Sequence, residues 1–326
     1  MAGEIVTRRA SAAELPDVLT LLRRALGWTD ADERFLEWKH LQNPFGQSPM
    51  WVAVVGSRVV GFRAFLRWEL AAPDGRVVLA ARAVDTATDP DFQGLGIFTR
   101  LTLAALDELA ADGVELVFNT PNRQSLPGYL KMGWRDVGQL PAALRPTRWR
   151  FAAVAATARR AADRAGVPSS VGVPAAAGLA DVVSVDRLLG RIRPAPGLTT
   201  RRTAAYLAWR YGNPDLGYRA LLHGASAEDG LLVVRLRSRG RAVECAVNEA
   251  LVPGDAEAGA TERALLDRLA RSREADYLIR LQERVTRDRF LRLPRVGPVL
   301  VCRSLLDASL PDRSGWALSM GDVELL

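Results

Sequence analysis

Between residues 88 and 98 the chain reads Thr88-Asp89-Pro90-Asp91-Phe92-Gln93-Gly94-Leu95-Gly96-Ile97-Phe98. Residues 77–88 before it read as a strand. From Ile97 onward, Phe98, Leu101, Ala105 and Leu109 recur at helical spacing. A strand that enters a helix through paired glycines has the makings of an anion site. Glycine lets backbone N–H groups approach a phosphate, and the helix start at Ile97 supplies unsatisfied donors and a positive dipole end. Gln93 adds a side-chain amide. A glycine turn with no ligand has the same signature, so the stretch taken alone leaves both readings open.

Working outward, residues 5–8 read as a strand, and Ser11 with Glu14 forms a capping-box pattern opening a helix that carries Leu15, Val18, Leu19 and Leu22. A second helix, 32–41, stops before Asn43-Pro44, because proline disfavours helix in the residue before it. Residues 51–55, a Gly56-Ser57 turn and residues 58–70 read as a hairpin, with 77–88 as the third strand of the meander. Beyond the helix 97–112, residues 115–119 form a buried strand and 123–132 a short helix closed by Gly133, and Trp134 begins another strand. The order predicts an α/β (α+β) domain with a mixed sheet, antiparallel first and parallel where the helix 97–112 crosses over.

Two motifs then carry a family resemblance. Pro90 and Gln93-Gly94-Leu95-Gly96 are similar to the pyrophosphate loop of the GNAT superfamily of acyl-CoA-dependent N-acyltransferases. Asn122, Ser125 and Tyr129, leading into Tyr129-Leu130-Lys131-Met132-Gly133-Trp134, resemble that family's second motif. Together they cover about 45 residues, counted as roughly 90–134. One position departs from the pattern: Phe98 stands where the family prefers a small residue, and its spacing with Leu101 reads it as core-facing.

The resemblance implies acetyl-CoA, or another acyl-CoA, as cofactor, held by Thr86, Thr88, Gln93, Gly94, Leu95, Gly96, Ile97, Phe98, Asn122 and Ser125. The strand 85–89 would splay from the strand 115–119, freeing backbone groups at Thr86 and Thr88 for the pantetheine arm and the thioester carbonyl, where an N–H stabilises the oxyanion. Tyr129 would protonate the leaving thiolate. An aqueous phenol, near 10, is well matched to a thiol near 8.5. For the general base the resemblance supplies no fixed position. Asp85, ahead of the loop, is the first candidate and Glu69 the second, against a plain reading of both as solvated strand-end residues.

Further along, YLAWRYGNPDLGY at 206–218 echoes FLEWKHLQNPFG at 35–46: Phe35 with Tyr206, Trp38 with Trp209, Lys39 with Arg210, Asn43-Pro44 with Asn213-Pro214. The paired tryptophans, each three residues after an aromatic, read as core rather than ligand-stacking positions. Strands at 231–235 and 242–252, a helix at 261–271 and a strand at 277–281 keep the earlier rhythm, so a period near 170 residues predicts two GNAT-like mixed-sheet domains in tandem. The expected layout is a catalytic domain over 1–145, an Ala-rich connector over 146–200, and a second domain over 201–326. In this second copy Pro253 survives but Gln-Gly-x-Gly does not, Asp255 and Glu257 would repel a pyrophosphate, and residues 282–291 offer neither the tyrosine nor the glycine. It is expected to have lost cofactor binding.

Composition agrees with an enzyme of this kind. A length of 326 residues suits two domains, and hydrophobic content of 48% with 25% charged residues is ordinary for globular chains. No apolar run reaches a membrane span and the N-terminus lacks a secretory signal, which predicts a cytoplasmic protein with no membrane partner. Cys245 and Cys302 sit in apolar runs as buried thiols, and His40 and His223 are too few and too far apart for a zinc site, so no metal is expected. The net charge of +7 and pI near 10.0 would suggest nucleic acid. Yet of 44 basic residues only Lys39 and Lys131 are lysines, leaving 44 − 2 = 42 scattered arginines, and that dispersal disfavours nucleic acid as a partner. The expected activity is transfer of an acyl group, acetyl first, to a primary amine of a small molecule by direct attack, with an amino-sugar nucleotide as one anionic acceptor and a homodimer left open. The alternative is a non-catalytic acyl-CoA-binding or regulatory module.

Overall fold

The computed structural model describes residues 4–28, 31–154, 162–163, 165–282, 288–293, 296–306 and 310–324. The chain forms two compact units, one of Met1–Gly138 with Val299–Arg313 and one of Gln139–Pro298 with Ser314–Leu326.

In the first unit, β1 (Val6–Arg9) precedes α1 (Leu15–Leu26), which buries Leu15, Val18, Leu19, Leu21 and Leu22 and ends where Gly27 turns left-handed. Asp32 caps α2 (Glu33–Leu41) by accepting from the Phe35 amide. Strands β2 (Met50–Val55), β3 (Arg58–Ala71) and β4 (Val77–Thr88) form an antiparallel meander. Then α3 (Ile97–Ala111) crosses over to β5 (Leu116–Asn119), which lies parallel to β4. The helix α4 (Leu126–Lys131) and β6 (Arg135–Gln139) follow. Ile97, Leu101, Ala105 and Leu109 of α3 pack with Trp51, Phe65 and Val117 in one core, each large side chain contributing about 1.5–3 kcal/mol by burial. The sheet order is β1-β2-β3-β4-β5, then the strand Val299–Ser304, then β6. The expected mixed sheet is therefore present. The short helix starts at Leu126 rather than 123 because Asn122 ties the preceding turn, its side-chain oxygen accepting from the amides of Gln124 and Ser125.

The second unit has its own mixed sheet, ordered 291–293, Ala142–Pro146, Tyr277–Leu281, Ala242–Leu251, Leu231–Arg239, Arg219–Leu222, Val173–Pro174. The units thus interleave in sequence rather than dividing at 145. Ala142–Pro146 pairs antiparallel with Tyr277–Leu281 of the second unit, while Val299–Ser304 pairs with β5 of the first. Part of the expected connector 146–200 is folded: the helix Val182–Arg191 buries Val185 and Leu188, and Val173–Pro174 pairs with Arg219–Leu222. Residues 155–161 and 164 of that stretch, and 283–287 of the segment 282–291 that lacks the second motif's tyrosine and glycine, lie outside the described residues.

The echoed segments adopt one local geometry twice. Phe35 and Trp38 stack at 5.5 Å and 43°, Tyr206 and Trp209 at 6.0 Å and 48°. Phe35 and Tyr206 are buried, while the tryptophans are half-buried. Asn43 accepts from the Phe45 amide and Asn213 from the Asp215 amide, the same Asx turn before the same kind of strand. Both sheets also carry a bulge at the matching ladder. In the first, Phe62 faces Ala87 and Ala64 faces Val84, so Asp85 and Thr86 both oppose Arg63. In the second, Val233 faces Glu249 and Val234 faces Val247, leaving Asn248 as the extra residue.

Candidate functional site

The site of the first unit begins where β4 and β5 part. Their parallel ladder runs from Ala80/Leu116 to Arg82/Phe118 and ends there, ahead of the stretch 85–89 where the family resemblance implies a splay. Just beyond, the bulge puts Asp85 in left-handed backbone (φ +46°), a conformation that a short polar side chain tolerates better than most. The strand then continues through Thr86 and Thr88, both half-buried, into a short turn, Pro90–Phe92.

That turn is tied down by Asp89. Its buried carboxylate accepts from the Asp91 amide and from Arg24 and Arg58, and Arg24 also reaches Asp91. Gln93, Gly94, Leu95 and Gly96 are exposed, and Gly94 and Gly96 have φ of +79° and +72°, which glycine alone adopts without strain. A Cβ at either would meet nothing, so conformation and not crowding requires them. Among the described residues no hydrogen bond engages the N–H groups from Gln93 to Phe98, and those of Ile97 and Phe98 belong to the unpaired first turn of α3. Ile97 is buried against Gly61, whose absent Cβ leaves room for it: one added there would stand 2.4 Å from the Ile97 side chain. This close approach seats the loop on the sheet. Phe98 is half-buried and fits because Gly128 of α4 lacks a side chain, the nearest ring carbon lying 2.9 Å from where a Cβ would be.

Tyr129 of α4 is buried at 3% exposure between Phe98 (5.4 Å, edge-on) and Trp134 (5.3 Å). Its hydroxyl accepts from Arg63 Nη2 at 2.7 Å, and Arg63 Nη1 donates to Thr86 Oγ1. The guanidinium stacks on Phe65, Phe98 and Tyr129. Asn122, exposed, and Ser125, half-buried, serve the turn that presents α4.

The two proposed bases fare differently from expectation. Asp85 is not solvated: Lys39 Nζ and His40 Nε2 both lie 2.8 Å from its carboxylate, and His40 Nδ1 is 3.0 Å from Ser48 Oγ. Burial alone would raise the Asp85 carboxyl, but the Lys39 charge and the His40 hydrogen bond outweigh it and hold the group below the usual carboxylate range. Burial pushes His40 down, against the pull of Asp85, so the ring is neutral at pH 7. An ionised Asp85 accepts, which places the proton on Nε2 and makes Nδ1 the acceptor for Ser48. A carboxylate so stabilised is a weak proton acceptor, and the cluster reads as the anchor that fastens α2 to the bulge. Glu69 lies on β3 opposite Leu79, six residues along the strand from Arg63, or about 20 Å from the bulge, too far to act on a thioester there.

The corresponding loop of the second unit is already filled. The Gly254 amide donates to the Arg191 carbonyl, Arg193 donates to the carbonyls of Gly254 and Asp255, and a Cβ on Gly254 would stand 2.4 Å from Arg193. At its bulge, Asn248 donates to Glu324, whose carboxylate also pairs with Arg235 and Arg237. Both features agree with the expected loss of cofactor binding there.

Among the described residues no helix is long and apolar enough to cross a membrane, no group of acidic, His or Cys residues could hold a metal, and both cysteines are free and buried.

Comparison with known proteins agrees with the geometry. The model of the acetyltransferase (GNAT) domain family matches residues 6–137. No curated protein matches the chain in sequence. Among solved structures, a probable N-acyltransferase of unknown function from Enterococcus faecalis is similar over 93% of this chain and 73% of its own, at 14% identity and TM-score 0.59. A GCN5-related N-acetyltransferase from Kribbella flavida is similar over 93% and 72%, at 17% identity and TM-score 0.58. Eis1 from Mycobacterium abscessus is similar over 92% and 74%, at 18% identity and TM-score 0.58. At these identities the structural likeness speaks for the fold. Together with the parted strands, the glycine loop and its placement at the start of α3, the family match identifies residues 6–137 as an acetyltransferase (GNAT) domain.

Proposed function

We propose that the protein transfers an acetyl group from acetyl-CoA to a primary amine of a small molecule in a single ternary complex, using the first unit alone. The observation that carries this reading is the alignment of three features along β4. These are an exposed loop of free N–H groups at Gln93–Phe98 for the pyrophosphate, a parted β4/β5 ladder for the pantetheine arm, and the Tyr129 hydroxyl beside Thr86 for the sulfur. The amine nitrogen attacks the thioester carbon, whose oxygen takes up charge opposite a freed backbone N–H of the bulge. The C–S bond then breaks, the thiolate takes the Tyr129 proton, and the amine gives its surplus proton to water. Acyl-CoA is made and held inside cells, which suits a cytoplasmic location.

Thiol release from acetyl-CoA across a panel of amines tests the proposal, with amino-sugar nucleotides at its head because the chain's arginine excess suits an anionic acceptor. Turnover on at least one amine is expected, and Tyr129→Phe should lower kcat by about 10²–10⁴-fold while changing acetyl-CoA affinity little. Tight binding of acetyl-CoA with no turnover on any amine would instead support a non-catalytic acyl-CoA-binding module.

A further inference from the structure

Arg63 is a deeply buried cation with no acidic partner among the described residues. It is 1% exposed, yet among the described residues no carboxylate lies within ion-pair distance, its two hydrogen bonds go to neutral oxygens, and its Nε is buried without a partner. Lys39 and Arg235, buried as deeply, each have a carboxylate, in Asp85 and Glu324. A guanidinium cannot shed its proton to escape burial, so such a site is costly until a negative charge arrives. The neighbouring oxygens are those of Tyr129 and Thr86, where the acyl thioester lies in the reading above.

We propose that Arg63 is the positioning residue for leaving-group protonation, acting through Tyr129. Because Arg63 donates to the phenol oxygen, the hydroxyl hydrogen is not spent on Arg63, and among the described residues it has no acceptor. When the C–S bond breaks, its electron pair goes to sulfur, the Tyr129 O–H bond breaks toward that sulfur, and the phenolate left behind lies 2.7 Å from Nη2 of a fixed positive charge. Water returns the proton to Tyr129 after release of CoA thiol. The rings of Phe65 and Phe98 keep solvent off the pair, with centroids 4.8 and 5.6 Å from the guanidinium carbon, so the charge acts in a medium that screens it weakly.

The inference rests on the acyltransferase reading and is tested by a double-mutant cycle. Arg63→Met keeps the stem packed on the rings and removes the charge, and Arg63→Lys keeps the charge without the fork. For each, kcat, its pH profile and the Kd for acetyl-CoA are measured in the native and Tyr129→Phe backgrounds. Arg63→Met is expected to lower kcat by about 10²-fold, as for removal of one donor to a developing oxyanion. The Kd should move less than about threefold, Arg63→Lys should recover roughly a tenth or more of kcat, and the loss should shrink to under about threefold in Tyr129→Phe, as for groups acting as a unit. An equal loss in both backgrounds, or a weakened Kd with kcat intact, overturns the role and marks Arg63 as a packing residue. Should Arg63→Met fail to fold, Arg63→Lys decides on its own: equal kcat losses with and without the Tyr129 hydroxyl overturn the role. A native protein that binds acetyl-CoA but acylates no amine overturns the acyltransferase reading itself and this role with it, an outcome distinct from an active enzyme whose cycle is additive.

Discussion

Replacing Asp85 with asparagine isolates one charge at the centre of the β4 bulge. Asparagine is among the few residues that accept left-handed backbone, so the φ of +46° adds little strain, and its side-chain oxygen can still accept from His40. What changes is that Lys39, 2% exposed, loses the carboxylate 2.8 Å away. Leaving one partner of a buried pair uncompensated costs about 3–5 kcal/mol. At about 2–4 °C per kcal/mol for a unit of roughly 150–250 residues, the first unit should melt about 6–20 °C lower. Adding Lys39→Met removes the stranded charge and should restore a large part of the loss, since two contacting positions are not additive.

Acidification supplies a second readout by calorimetry or circular dichroism. The folded pKa of Asp85 is depressed, so its contribution is present above the unfolded value of 3.8 and is lost as pH falls below it. The folded pKa of His40 is also depressed; the unfolded chain therefore gains a proton below 6.5 that the folded chain refuses, and stability falls from there downward. Asp85→Asn should keep the loss between pH 7 and 5 and lose the further drop below pH 4. A melting shift under about 2 °C, or a double variant as unstable as the sum of the singles, would refute the view of Asp85 as an ion-paired anchor.

Other positions report on the loop and the thiols. Gly61→Ala places a Cβ 2.4 Å from Ile97 and 3.0 Å from the Ala53 side chain, so it should cost about 1–3 kcal/mol and weaken acetyl-CoA binding by shifting the start of α3, as read by unfolding and calorimetry. Gly96→Val forces a branched residue to a φ of +72°; a loss of about 1–2 kcal/mol is expected, with acetyl-CoA binding falling more than tenfold. Burial pushes the Cys302 thiol up to about 11 and raises Cys245 further, so a thiol reagent at pH 7.5 should find no reactive cysteine in the folded protein and two after unfolding.

Much of the first unit was legible because its signals are local. Strand 77–88, the α3 face and the Ser11/Glu14 capping box follow from periodicity and capping chemistry, and the glycine loop announces its own backbone. What stayed hidden depends on pairing across distance. Nothing in the pattern of Ala142–Pro146 or Val299–Ser304 says which sheet each joins. Asp85 and Glu69 look alike as acidic strand residues, and only the bulge separates one bound to Lys39 from one remote from the loop. Arg63 was invisible for a compositional reason: among 42 arginines, one more carries no information. Lys39 was the exception, one of two lysines and already marked by its echo in Arg210, and its burial was the signal that could have located the anchor.

Calorimetric titration of the intact protein with acetyl-CoA, in parallel with Gly96→Val, tests most directly whether the first unit holds the sole acyl-CoA site. The expected result is one acetyl-CoA per chain in the native protein and binding weakened more than tenfold in the variant, since the second unit's loop is closed by Arg191 and Arg193. Two equivalents per chain, or undiminished binding by Gly96→Val, would contradict it.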